Sequence, residues 1–192
     1  MKKVGVLALQ GDFEAHSRAL ARVGAEPVLA RTASDLEGLD GLVIPGGEST
    51  TMLKLMNAEG MIRPLVEFGQ KRPIFGTCAG AILLASEVTH PAQQSLGLMD
   101  LTVERNAYGR QIDSRVAQVT LETDFTQRTE SGDLEAVFIR APIIRRIGAN
   151  ATVLASYEGD PVLVEQGRHL VATFHPELGS DSRVHELFIS KL

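Results

Sequence analysis

Short apolar runs alternate with helical patterns through the first half of the chain. Lys3–Leu9 is an apolar run of strand length. Asp12–Val23 spaces Phe13, Leu20 and Val23 on one helical stripe, and Gly24 follows as a C-cap. Glu26–Ala30 and Gly41–Pro45 predict the second and third strands, and Pro45-Gly46-Gly47 breaks the third. Ser49–Ala58 and Met61–Lys71 predict two helices. Arg72–Phe75 predicts a strand, and Ala81–Val88 a helix after a tight turn. This alternation predicts an α/β fold: a three-layer sandwich with a mostly parallel central sheet, as one domain over residues 1–192.

The second half is richer in strands, expected at Met99–Glu104, Arg115–Leu121, Glu135–Arg140, Thr152–Tyr157, Val162–Gln166 and Leu170–Phe174. A last helix over Asp181–Leu192 aligns Val184, Leu187, Phe188 and Leu192, with Ser180 or Asp181 as N-cap. His90–Leu98 and Glu122–Asp133 read as loops.

Composition narrows the function. Acidic residues outnumber basic ones, 24 to 19, which argues against a nucleic-acid partner. No stretch reaches the ~20 apolar residues that span a bilayer, so no membrane partner is expected. The apolar start lacks a small-residue cleavage site and reads as a buried strand rather than a leader. The expected setting is the cytoplasm. Cys78 is the single cysteine, which excludes an internal disulfide and a multi-cysteine zinc site.

Candidate chemistry centres on Cys78. Gly76-Thr77-Cys78-Ala79-Gly80 lies between a predicted strand and a predicted helix, the context of a nucleophile elbow with Cys in place of Ser. A sharp turn there leaves no room for side chains two residues before and after, hence the glycines. The helix N-terminus favours the thiolate. Outside such a turn, a lone cysteine is ordinarily a small buried hydrophobe.

A thiol nucleophile needs a base. His175 ends the last predicted strand, and Pro176-Glu177 follows it. Carboxyl ends of parallel strands collect at one edge of an α/β sheet, so Cys78 and His175 can meet there. Glu177 is near enough to hold the imidazole tautomer. His16 reads as a core or interface residue, His90 and His169 as loop residues, and His185 as lying off the apolar stripe of the last helix.

Attack on an amide needs donors aimed at the developing oxyanion. The N–H groups of Gly47 and Ala79 are the candidates. Pro45-Gly46-Gly47-Glu48-Ser49-Thr50 carries no Gly-Lys-Ser/Thr, so it is not a phosphate loop. An amino-acid carboxylate calls for an arginine. Residue chemistry alone does not choose among Arg105, Arg110, Arg140, Arg145 and Arg146.

Together, Gly-Thr-Cys-Ala-Gly, Phe-His-Pro-Glu and Pro-Gly-Gly-Glu-Ser-Thr resemble the class I glutamine amidotransferase family. Leu9–His16, Arg105–Gln111 and Phe138–Pro142 resemble the branch of that family serving pyridoxal 5'-phosphate synthesis. The resemblance implies hydrolysis of L-glutamine to L-glutamate and ammonia by a Cys78–His175–Glu177 triad through a glutamyl thioester. It implies that Gly46, Gly47, Glu48, Arg105, Ile139 and Arg140 bind glutamine. It also implies a partner: a (β/α)8-barrel synthase subunit in a large hetero-oligomer, which receives the ammonia through an internal tunnel. Docking of that partner is expected to complete the oxyanion hole. No resident metal or cofactor is expected. Other elbow-cysteine enzymes, such as γ-glutamyl hydrolases, are the competing class, and a non-catalytic binding subunit is a third reading.

Overall fold

The computed structural model describes residues 1–107 and 114–192. Twelve strands are described: β1 (Lys3–Leu7), β2 (Glu26–Ala30), β3 (Gly41–Ile44), β4 (Ile74–Thr77), β5 (Ala85–Thr89), β6 (Met99–Glu104), β7 (Ser114–Leu121), β8 (Leu134–Ile139), β9 (Ile143–Ile147), β10 (Ala151–Tyr157), β11 (Asp160–Gln166) and β12 (His169–Ala172). Helices are α1 (Phe13–Arg22), α2 (Ser49–Ala58), α3 (Ile62–Lys71), α4 (Ala79–Leu84), α5 (Thr123–Thr126) and α6 (Arg183–Ile189).

Nine strands form one sheet in the order β2-β1-β3-β4-β12-β11-β10-β7-β8. The half from β2 to β12 is parallel. The half beyond β12 is antiparallel, so the sheet as a whole is mixed. A second sheet, β5-β6-β9, lies apart.

Side chains alternate across the parallel strands and build two cores. Leu42, Ile44, Ile74 and Val171 face α2, α3, α4 and the small sheet. Val4, Val43, Phe75 and Leu170 face the opposite way, against Leu20 of α1 and Val184 and Phe188 of α6. Strands buried on both sides read as continuous apolar runs, which is why the sequence betrays them.

Several expectations need correction. The predicted helix Ala81–Val88 is α4 ending at Leu84, and the chain then enters β5. Ala85–Thr89 pairs in parallel with β6, and that long-range ladder overrides a local helical pattern. The strand Ile143–Ile147 was not expected, because Ile-Ile-Arg-Arg-Ile does not alternate. It is ordered by pairing with β6. The segment 122–133 contains α5, whose Phe125 is fully buried. Its end is gripped by Arg183, whose guanidinium donates to the carbonyls of Glu130, Gly132 and Asp133. The N-cap position of α6 is Ser182, while the Asp181 carboxylate accepts from the Arg183 N–H. His169 is no loop residue: it opens β12, is buried, and accepts from the Ile74 N–H at 3.2 Å. His185 is fully buried rather than off the packed face of α6.

Candidate active site

All five parallel strands end at the same edge, and a cleft of about 750 Å³ opens there. The loop after β1 contributes Gln10 and Asp12, the loop after β3 contributes Gly46 to Glu48, β4 delivers Cys78, and the segment after β12 delivers His175.

Cys78 sits between β4 and α4 at φ +48°, a left-handed conformation that costs a residue with a Cβ of order 1–3 kcal/mol. Its N–H donates to Ala172 O of β12, and its carbonyl accepts from Ala81 and Ile82 of α4. The turn is therefore fixed from both sides. The spacing argument for the flanking glycines holds. A Cβ on Gly76 would lie 2.5 Å from the Gly80 carbonyl oxygen, and one on Gly80 only 2.0 Å from Ile44 O.

His175 is held by its own N–H, which donates to Val137 O of β8. The ring packs on Gly46, where an added Cβ would meet Cε1 at 2.4 Å. Nδ1 lies 2.7 Å from Glu177 Oε1, in a buried pair. Burial acts to lower the imidazole pKa, but hydrogen bonds with Cys78 and Glu177 outweigh it and raise the pKa to about 10. At neutral pH His175 is therefore protonated. The predicted sulfur, imidazole and acid thus stand in one row, with His175 bonded to Glu177 and interacting with Cys78.

The remaining expected residues gather around that row. Gly46 O accepts from the Asp12 N–H at 3.1 Å. Across a trans peptide the next N–H points the opposite way, so Gly47 N–H faces away from the Gln10–Asp12 loop. Among the described residues, neither Gly47 N–H nor Ala79 N–H has an acceptor. Ile139 O lies 3.8 Å from Cys78 Sγ. Arg140 follows at φ +45° and lines the cleft. The Arg105 guanidinium is half-buried and donates to Thr50 Oγ1 at 2.8 Å. The Glu48 carboxylate is spent locally: it caps α2 by accepting from the N–H groups of Thr50 and Thr51. Arg145 and Arg146 pair with Glu104 and Asp100 on the small sheet, outside the cleft. Arg110 lies outside the described residues.

Sequence reasoning gave four neighbours no contact with the row, although it read His16 as a core or interface residue, and His16 is fully buried. Gln10 Oε1 accepts from the Glu48 N–H at 2.9 Å and so ties the first loop to the Gly-rich turn. The Asp12 carboxylate lies within 4.8 Å of the His175 ring nitrogen and Glu177 oxygen. His16 and Thr77 lie behind the acid, 2.9 Å apart. Only their contiguity with motif residues could have flagged them, since neither type is unusual there.

Burial has a consequence for stability. His185 and His169 are pushed down to about 4 chiefly by desolvation. Unfolded imidazoles titrate at ~6.5, so between pH 6.5 and 4 the unfolded state binds more protons and stability rises with pH. Each shift amounts to on the order of 3 kcal/mol. His175 has the opposite sign: its raised pKa contributes stability below pH 6.5 that is lost as pH climbs through about 10. The urea midpoint is expected to fall steeply from pH 6.5 to 4.5; a flat midpoint over that range contradicts the buried neutral imidazoles.

A strained cysteine elbow facing a histidine–acid pair at the edge of a parallel sheet defines a cysteine-dependent acyl-transfer class of α/β protein. The chain belongs to the SNO glutamine amidotransferase family, whose model matches residues 6–192. It is 65% identical over 192 residues, the full length of both chains, to "Pyridoxal 5'-phosphate synthase subunit PdxT" of Solibacter usitatus (strain Ellin6076). It is 52% identical to the protein of the same name from Koribacter versatilis (strain Ellin345), over 97% of this chain and 94% of that one. A solved structure described as "Crystal structure of glutamine amidotransferase" superposes with TM-score 0.89 at 44% identity, covering 98% of this chain and 97% of the other. No described helix is long and apolar enough to cross a membrane.

Proposed function

We propose that the chain is the glutaminase subunit of a pyridoxal 5'-phosphate synthase, hydrolysing L-glutamine and passing ammonia to a synthase subunit. The observation that carries the reading is the row from Cys78 through His175 to Glu177, with Cys78 in a strained elbow. Family membership and the full-length likeness to PdxT proteins support it.

In this reading Cys78 Sγ, its proton held by His175, attacks the side-chain carboxamide carbon. The oxyanion points at the N–H groups of Gly47 and Ala79. Collapse breaks the C–N bond, and His175 hands its proton to the departing nitrogen. Ammonia and a glutamyl thioester result. Water, deprotonated by His175, then attacks the thioester; glutamate leaves and the thiol is restored. Glu177 holds the imidazole and stabilises its charge.

Gly46, Gly47, Glu48, Arg105, Ile139 and Arg140 form the glutamine subsite, with the arginines facing the α-carboxylate and Glu48 working mainly through the helix start it caps. Replacing Arg105 with methionine is expected to raise KM for glutamine about 10- to 100-fold with a smaller change in kcat, as loss of one charge-assisted hydrogen bond predicts. An unchanged KM removes Arg105 from the subsite.

The partner is a (β/α)8-barrel synthase subunit in a large hetero-oligomer, docked at the carboxyl edge of the sheet, and the setting is the cytoplasm, where a lone thiol stays reduced. A closed route has a chemical purpose, because free ammonium is not nucleophilic. Docking couples to the oxyanion hole through the Gln10–Asp12 loop, which holds both Gly46 O and the Glu48 N–H. Glutamate formation with and without the synthase subunit tests this; equal rates defeat the coupling. A glutamine-like diazo-ketone tests the nucleophile: a single adduct on Cys78 is expected, and an adduct elsewhere overturns the assignment.

A further inference from the structure

Behind the acid of the row lies a second buried group, made from α1 and α6. His16 and His185 are both fully buried. His16 Nδ1 lies 3.2 Å from His185 Nε2, and His16 Nε2 lies 2.9 Å from Thr77 Oγ1 and 3.3 Å from Glu177 Oε2. Neither Glu177 Oε2 nor His185 Nδ1 has a hydrogen-bond partner among the described residues, so the approach of His16 Nε2 to Oε2 is a close polar contact beside its bond with Thr77 Oγ1. Phe75 stands edge-on to both rings, at 6.2 and 5.8 Å, and fixes their planes.

A neutral imidazole carries one N–H, so two proton arrangements exist for the pair. In the first, His16 Nδ1–H donates to His185 Nε2. That leaves a buried His185 Nδ1–H without an acceptor, while the bare Nε2 of His16 accepts from the Thr77 hydroxyl and sets its negative edge 3.3 Å from the Glu177 carboxylate. In the second, His185 Nε2–H donates to His16 Nδ1, and His16 Nε2–H points at Thr77 Oγ1 and Glu177 Oε2. The group left over is then a lone pair on His185 Nδ1. A buried unpaired N–H costs more than an idle acceptor, and a lone-pair edge beside a carboxylate is repelled, so the second arrangement is favoured. Desolvation and its histidine neighbours keep the His16 pKa well below the usual range, and desolvation holds His185 near 4, so neither ring is charged at neutral pH.

We infer that His16 is a positioning residue: locked by His185 as the Nε2–H tautomer that donates to Thr77 Oγ1, it sets the positive edge of its ring 3.3 Å from Glu177 Oε2 and keeps Oε1 aimed at His175. This extends the proposed glutaminase reading. A carboxylate with one oxygen unengaged can rotate, and rotation would loosen the 2.7 Å bond to Nδ1 of His175. The N–H edge of His16 packed 3.3 Å from Oε2 opposes that rotation without adding a charge.

Nitrogen-15 NMR of the wild-type chain at pH 7 tests the proton arrangement, with both rings expected neutral and protonated on Nε2. A proton on His16 Nδ1 overturns the proposal, and this measurement needs no variant to fold. Kinetics with the synthase subunit present test the consequence. His16→Leu is expected to lower kcat for glutamine hydrolysis about 10- to 100-fold with KM within about threefold, the range seen when an orienting partner is lost. His16→Gln, which keeps a donor at the same reach, is expected to recover most of the loss. In a Glu177→Ala background, His16→Leu is expected to cost less than about twofold more, because the two act as a unit. Equal losses in both backgrounds mean a merely structural role and overturn the proposal. Activity that survives Cys78→Ala would instead defeat the glutaminase reading and leave the tautomer result standing.

Discussion

Replacing Cys78 with alanine is expected to lower glutamine hydrolysis by about 10^4-fold or more, by analogy with nucleophile removal in a triad enzyme. The thiol is the sulfur that would carry the glutamyl group, so no thioester can form without it. The elbow itself should survive. Its φ of +48° is imposed by the Cys78 N–H to Ala172 O bond and by the first turn of α4, and alanine keeps both. The unfolding midpoint should therefore stay near that of the wild type while glutamate release, followed with the synthase subunit present, disappears. A variant that keeps a tenth of the wild-type rate would remove Cys78 from the chemistry.

Gly80→Ala is expected to be strongly destabilising. Its Cβ would lie 2.0 Å from Ile44 O and 2.9 Å from Ile44 C. Those are backbone atoms in the centre of the parallel sheet, hydrogen-bonded into the ladder with β4 and unable to yield. Either α4 lifts off β3 or the strand shifts; overpacking typically costs about 1–3 kcal/mol, and a clash with backbone lies at the upper end of that range. The urea midpoint is expected to fall sharply, and the activity of whatever remains folded to fall with it, because α4 carries the Ala79 N–H. Gly24→Ala makes a useful control, since nothing lies within 4 Å of its added Cβ, although its φ of +77° adds local strain. A Gly80→Ala protein as stable as that control would show that the helix–strand contact is looser than described.

The parallel half of the fold was legible because its strands are buried on both faces and read as apolar runs closed by glycine and proline. Errors fell where local pattern and long-range pairing disagree. Ala85–Thr89 continues a helical stripe yet is drawn into a ladder with β6. Ile143–Ile147 has no strand period and exists as a strand only through its neighbour. The antiparallel extension beyond β12 likewise depends on hairpin register.

The site divides in the same way. The sequence alone determined the proposed reacting types and their places on the chain: Gly-x-Cys-x-Gly predicts its own strained turn, and His-Pro-Glu carries, two residues on, the acid that meets the imidazole. Those are short-range steric and hydrogen-bonding facts. Only the tertiary structure decided what lies behind Glu177, since His16 and His185 are separated by 169 residues and look like ordinary helix positions. It also decided that the Glu48 carboxylate caps α2, and that Gln10 ties two loops together. The physical reason is that hydrogen-bond partners in a buried site are chosen by the packing of whole elements, which periodicity along a chain does not encode.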